Sequence, residues 1–482
     1  MATRPPAWPT SILRGHASQV HSVQFVCQNT RLLTGDADGW VVFWKVENKR
    51  PLAVWKAHEG PILGLAEWGP TRYITHGRDN ALRVWRLDES FQRYSITLPA
   101  EPGEEYRTIP CLLHSLPVNT LNFCSFSMCY QHAQQRAQAD RKGKANMSTT
   151  SVLSRDSILV AVPATDDKFV DVYQLPGESL KARTPRVQSV VTGMVMAVKL
   201  VRHQASQIIL LLVGYEAGIT AVFKLPRNCT GLAMETAQLM YLSNPHSQPV
   251  LSLDVSPEGD FYFTSSADAI VAMHHIPQPP PDHDEAYGSS EAPVFPFGPL
   301  VTLQAPHKTL DTKHAGQQSL RVRSDGRLLI TGGWDTRIRI YSTRTLKEVA
   351  MLKWHKEGVY AVDFSTILTA EDVEVNEDEK TRFGKACQEI NRRLANKEEE
   401  LPSYVLRTLE ILNQKLSEDE EAFKIMLRQA EEAYAFRVFM DRMGGRSRLL
   451  EAPDRQREEK TMVKHWVAAG AKDGKVSLWE VF

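Results

Sequence analysis

The sequence predicts an all-β fold, a seven-bladed β-propeller, and three observations predict it. One pattern of polar and apolar residues recurs seven times along the 482 residues. Within each copy, apolar residues alternate or run in short blocks rich in Val, Ile, Leu and Phe, separated by Gly and Asp turns, as strands and hairpins do. The last copy is one strand short, and an unused strand-like segment precedes the first. A sheet of roughly 40 residues cannot bury both its faces alone, so the copies must pack face to face around an axis.

The recurring unit is a His, then apolar residues at +4, +7 and +9. A Gly-flanked Asp follows 21 or 22 positions after the His, with an aromatic residue six positions beyond it. The first copy has His16, Thr34, Asp38 and Trp44; the second has His58, Thr75, Asp79 and Trp85. The third begins at His114 and closes with Asp167 and Tyr173, its halves pushed apart by an insertion. The fourth is degenerate, with Val191, Ala217 and Phe223 in the three places. The fifth has His246, Thr264 and Asp268, with His274 in the aromatic slot; the sixth has His314, Thr331, Asp335 and Tyr341. The seventh opens at His355 and resumes, after a long interruption, with Asp473 and Trp479.

These polar residues have a structural task in such a ring. The turn Asp accepts a hydrogen bond from the His ring, and the Thr hydroxyl and indole N–H complete a buried network. Pro163 and Ala469 stand where the Thr belongs in copies three and seven, so the network is complete in some blades and partial in others. The chain ends "SLWEVF", right after the third strand of copy seven, which would leave a sheet edge bare. Residues 9–16, within "PTSILRGH", are expected to pair there and close a single propeller spanning 1–482.

The bulk properties narrow the function classes. Lys plus Arg number 57 and Asp plus Glu 57, so no overall field points to nucleic acid. The six cysteines show no paired spacing, which reads as reduced and intracellular rather than as a disulfide or zinc framework. The N-terminus has prolines where a secretory signal needs an apolar core, and "IILLLV" is strand-length, not a membrane span.

Together the "GH" that opens copy one, the turn Asp residues and the strand-ending Trp residues resemble the WD40-repeat family. The only Trp-Asp dipeptide, Trp334-Asp335, lies several residues before the position that gives that family its name; its Asp is the turn Asp of copy six. More narrowly, "LRGHASQVHSVQF…GDADGWVVFWKV", "WKAHEGPILGLAEW…GRDNALRVWRL" and "VAAGAKDGKVSLWEVF" resemble the fungal ASTRA-associated WD-repeat family, which has animal relatives of the G-protein β-subunit-like type. This resemblance implies a non-catalytic scaffold subunit of an ASTRA-type complex, linked to chromatin regulation and to chaperoned assembly of phosphatidylinositol-3-kinase-related proteins. The partners it implies are Tel2/Tti-type chaperone subunits, RuvB-like ATPases and the kinase-related protein. Nuclear localisation and a single copy within a hetero-complex go with it.

Three insertions interrupt the repeat. Residues 131–151 are polar and aperiodic, as in a disordered loop; 277–299 form a Pro-rich linker; 371–460 carry a helical insertion in blade seven, by which the chain departs from the animal relatives. That insertion either packs on its own blade or serves as a partner-binding arm. No cofactor or metal is expected: His283, Asp282 and Asp284 lie in the Pro-rich loop, and "TGDADG" lacks the Lys and Ser/Thr of a phosphate loop. Recurrence in every blade also argues against a Thr/His/Asp nucleophilic set, which occurs once at one cleft. The alternative reading is a signalling or ubiquitin-ligase adaptor. Against it, no heptad helix precedes the propeller, and "WDTR" stands in the turn before a third strand rather than at its end.

Overall fold

A computed structural model describes residues 8–87, 94–100, 109–120, 123–131, 157–203, 206–226, 234–277, 301–368, 457 and 460–481. The insertions read at 131–151, 277–299 and 371–460 fall, apart from their edges, outside the described residues. By compactness the chain divides into two units. Met1–Cys129, Ile158–Ile367 and Lys464–Phe482 form one, and Tyr130–Ser157 with Leu368–Val463 the other, of which few residues are described.

Seven sheets form the ring, and we number them as blades with strands taken from the axis outwards. The innermost strands are Val20–Val26, Ile62–Trp68, Ser127–Tyr130, Val195–Arg202, Val250–Val255, Gln317–Val322 and Val359–Phe364. The second and third strands of each blade follow as antiparallel hairpins, for example Arg31–Asp36 with Trp40–Lys45 in blade one. Blade seven takes its inner three strands from Val359–Phe364, Trp466–Ala471 and Lys475–Glu480, and its outer strand from Ser11–Arg14 at the other end of the chain. Leu13 pairs with Val476 and buries its side chain among Val20, Ala468 and Leu478.

Apolar residues are gathered between blades, not at one centre. One cluster joins blades seven and one, another joins one and two through Phe43, Trp55, Tyr73 and Trp85, and others lie between three and four, four and five, five and six, and six and seven. At these six seams each sheet face is therefore half of a core completed by its neighbour. The turn between second and third strands docks on the next blade: a Cβ at Gly39 would lie 1.9 Å from the His58 carbonyl oxygen, and one at Gly218 2.2 Å from that of His246. Both glycines also have positive φ, 85° and 78°.

Two bulges repeat in register. The outer strand skips a residue opposite the aromatic slot at Trp44, Trp85, Tyr173, Phe223 and Tyr341. The innermost strand skips one near its start, at His21, Leu63, Met196, Leu251, Gln318 and Tyr360.

The structure corrects the assignment of His114. It lies in Cys111–Pro117, the outer strand of blade two, paired with Val84, so it does not open blade three. The apolar spacing that follows His114 is produced by an outer strand and the connection to the next blade, which mimic a blade opening.

If the N-terminal strand locks the ring, Leu13→Ala should lower unfolding free energy by about 2–4 kcal/mol, as for a buried leucine elsewhere in a core. Denaturant unfolding checks this; a loss below about 0.5 kcal/mol would mean that the closing strand contributes little.

Candidate functional site: blade networks and the axial cavity

Blade two shows the recurrent polar set in full. The His58 ring places Nδ1 2.7 Å from Asp79 Oδ1 and Nε2 2.7 Å from Thr75 Oγ1, and Trp85 Nε1 donates to the same hydroxyl at 2.8 Å. Blade five repeats it: His246 lies 3.3 Å from Asp268 and 2.8 Å from Thr264, with His274 in the aromatic slot 3.3 Å from Thr264. His274 Nδ1 also lies 3.0 Å from Tyr241 Oη.

This connectivity matches that of a nucleophilic triad, but the hydroxyl is buried and engaged on both sides. In blades one and two the hydroxyl bonds the imidazole and accepts from the indole, in blade five it lies between two imidazoles, and Thr34, Thr75 and Thr264 are all 0% exposed. Burial lowers the His58 pKa, which keeps the ring neutral. Burial also opposes ionisation of Asp79, yet Arg83 and His58 outweigh it and hold the carboxylate below its usual range.

In three blades the structure rearranges the predicted set. In blade one His16 Nδ1 meets Asp36 Oδ2 at 2.7 Å, not Asp38, while Thr34 and Trp44 keep their places. Asp36 stands at the end of the second strand, where blade two has Gly77, so its carboxylate reaches the ring first. Its other oxygen accepts the backbone N–H groups of Asp38 and Trp40, each at 3.0 Å, and Asp38 turns outwards to Ser18.

In blade six His314 does not join Thr331. Its Nδ1 is 3.6 Å from Asp335, and both side chains are part-exposed. His314 precedes the innermost strand by three residues, whereas His16, His58, His246 and His355 precede theirs by four. The shorter lead cannot carry the ring inwards, and buried Gln317 takes its place: Thr331 Oγ1 donates to Gln317 Oε1 at 2.8 Å, and Gln317 Nε2 donates to the His314 carbonyl at 2.8 Å. Asp335 instead takes a two-point ion pair from Arg339, 2.5 and 3.1 Å, while Tyr341 stays buried in its slot.

In blade seven His355 Nε2 bonds Ser477 Oγ at 2.7 Å, and Trp479 Nε1 donates to that same oxygen at 2.9 Å. Ser477 is the direct cross-strand partner of Ala469, so the missing hydroxyl is supplied from the adjacent strand. Asp473 is 3.9 Å from His355 and pairs with Lys475 at 2.8 Å.

The second feature was not read from the sequence. A cavity of about 630 Å³ runs along the axis, lined by the innermost strands of all seven blades. The bulged residues His21, Leu63, Met196, Leu251, Gln318 and Tyr360 all line it, so in these six blades the bulge brings one residue to the axis. Three positions further along stand Gln24, Ala66, Lys199, Asp254, Arg321 and Asp363. Lys199 pairs with Asp254 at 2.7 Å. Burial pushes the Asp363 carboxyl up to about 6 against the opposing pull of Arg321.

These innermost strands do not pair with each other, and side chains of one blade accept backbone N–H groups of the next. Leu200 donates to Ser127 at 2.9 Å, Leu320 to Ser252 at 3.1 Å, and Val362 to Ser319 at 3.2 Å. Val322 donates to Asp254 at 2.8 Å, and Phe25 to Asp363 at 2.7 Å, the latter across the closure. Acidic and hydroxyl residues inside apolar strands thus satisfy donors that no ladder reaches. The alternating Ser and Asp residues were the available signal.

Comparison with known proteins decides the family. The model for "ASTRA-associated protein 1" matches residues 9–479. The chain belongs to the ASTRA-associated protein 1 family. Family members of that name from Verticillium alfalfae and Aspergillus niger are 39% and 37% identical, over 98% and 99% of this chain and 93% and 98% of theirs. The member from Schizosaccharomyces pombe is 30% identical over 74% of this chain and 93% of its own length. The match thus covers both termini of the ring as well as its blades, in keeping with Ser11–Arg14 being part of the fold.

Two outcomes follow from the site. Asp36→Ala should cost about 2–4 kcal/mol, since it strips a buried ring and two turn N–H groups of their acceptor, whereas Asp38→Ala should cost less than about 1 kcal/mol. The reverse order in denaturant unfolding would restore the pairing read from sequence.

Burial lowers His76 and His274 to about 3 and His355 to about 4. Each binds a proton more readily when unfolded, so its stabilisation is complete above pH ~6.5 and declines as pH falls towards the folded value. Asp363, raised to about 6, opposes this by roughly one proton between pH ~4 and 6. Through the three histidines stability should fall on acidification from pH ~6.5 to 4, and His274→Tyr should make that fall shallower by about one proton. Unfolding curves across this range check the slope.

Proposed function

We propose that the protein is a non-catalytic scaffold subunit of an ASTRA-type multiprotein complex, acting in the nucleus in chromatin regulation and in chaperoned assembly of phosphatidylinositol-3-kinase-related proteins. The observation that carries this reading is the family match across residues 9–479, whose members are named for association with ASTRA. The site geometry supports the non-catalytic part. The recurrent His, Thr, Ser and Asp residues are engaged in holding blades, with hydroxyls buried and doubly bonded. What remains for function is surface: the two faces of the ring and the outer edges of the blades.

Under this reading the partners are Tel2/Tti-type chaperone subunits, RuvB-like ATPases and a kinase-related protein. Affinity purification of the tagged chain from nuclear extract under gentle lysis, followed by mass spectrometry, should recover these proteins together. Recovery of the chain without them would contradict the proposal.

A further inference from the structure

The outer edge of a blade presents unpaired backbone groups, and this fold covers most such edges with its own chain. On blade one, Val54 N donates to Ser95 O at 2.8 Å. On blade three, Glu235–Thr236 adds a parallel fifth strand beside Ala182 and Arg183. On blade four, Gln304 bridges in parallel to Ser243 and donates to Leu242 O at 2.8 Å. After the outer strand of blade seven, Ala100 N donates to Gly15 O at 2.8 Å. The covers on blades one, three and four are short pieces added alongside the edge by backbone pairing.

Among the described residues, blades two, five and six carry no such cover. Blades five and six guard their outer strands with charge at both ends: Lys308 and Asp311 in one, Glu348 and Lys353 in the other. Charges at an edge discourage pairing with another chain. Blade two does the opposite. Its outer strand Cys111–Pro117 reads Cys-Leu-Leu-His-Ser-Leu-Pro, with no Lys, Arg, Asp or Glu. Ile109, Leu112 and Leu113 are 61%, 46% and 36% exposed, and Cys111 is also exposed. His114, the other titratable side chain of that strand, is held to Glu178 of blade three at 2.9 Å.

We infer that the outer strand of blade two is a docking edge for an extended, uncharged, apolar segment of a partner protein, added as a fifth strand. The occupant's chemistry follows from the molecule itself. The covers on blades one, three and four show that an extended segment is what these edges accept. The absence of charge along Cys111–Pro117 selects a segment without charge opposite it, because an unpaired charge laid on Leu112 and Leu113 would lose water without gaining a partner. The inference rests on the scaffold reading only for the source of the partner.

The test uses the full chain in its cell-purified assembly. Alkylation at Cys111, quantified by mass spectrometry, should be at least 10-fold slower in the assembly than in the isolated chain. A photo-cross-linker at exposed Ser115 should capture one uncharged apolar segment. Leu112→Lys with Leu113→Lys should keep the unfolding midpoint and reduce recovery of that partner at least 10-fold, whereas Val349→Lys, at an exposed position on the outer strand of blade six, should not. If the assembly is intact and Cys111 reacts as fast as in the isolated chain, the docking edge is overturned and the scaffold reading stands. If Cys111 is protected by a captured apolar segment of a protein outside the ASTRA set, the edge stands and that reading falls. Capture of a charged segment, capture of a second copy of this chain, or a chain that purifies alone overturns the inference whatever the double variant does.

Discussion

Everything in this structure follows from one constraint: a four-stranded sheet with two apolar faces cannot exist alone in water. Each blade is stable only because its neighbours cover both faces, and the first and last blades need each other as much as any interior pair. Ring closure is therefore the condition on which the fold depends. It is met by giving blade seven an outer strand, Ser11–Arg14, from the opposite end of the chain, with Leu13 set into the core between blades seven and one. The Phe25 to Asp363 hydrogen bond fastens the same seam near the axis, and the mutual amide bonds of Asn29 with Thr366 at 2.7 and 2.8 Å fasten it again.

Within a blade, apolar contact alone does not set the angle at which a turn meets the next sheet. The His, hydroxyl and indole set does so, by tying the lead-in of a blade to its own second and third strands. It tolerates exchange of parts as long as a hydroxyl or amide reaches the same point. Thr75 supplies it in blade two, Ser477 in blade seven, and Gln317 substitutes for the ring itself in blade six. The carboxylate is more mobile in sequence: Asp36 replaces Asp38 because a strand-end position lies closer to the ring than the turn does. A propeller built on such exchangeable parts leaves its surfaces free for partners, in line with a scaffold.

The fold was legible because its signal is spacing, repeated often enough to survive degenerate copies. The site was legible in blades two and five, where every member of the set sits on its usual position. Elsewhere the sequence misled for local physical reasons. A cross-strand neighbour such as Ser477 is far from Ala469 in sequence yet opposite it in register. A lead-in one residue short leaves His314 outside. An outer strand placed His114 where a blade opening was expected. The axial cavity was invisible because a bulge changes which side chain points inwards without leaving a mark in alternation, so His21, Gln318 and Tyr360 read as ordinary strand residues.

The central claim is that the recurrent polar residues act by holding the ring together. A double-mutant cycle on His58→Ala and Thr75→Ala, read both as unfolding free energy and as recovery of co-purifying partners from cells, tests it most directly. The account predicts a coupling of about 1–3 kcal/mol between the two positions, with partner recovery falling only as far as the folded fraction does. Additive effects on a barely altered stability, accompanied by selective loss of partners, would contradict it.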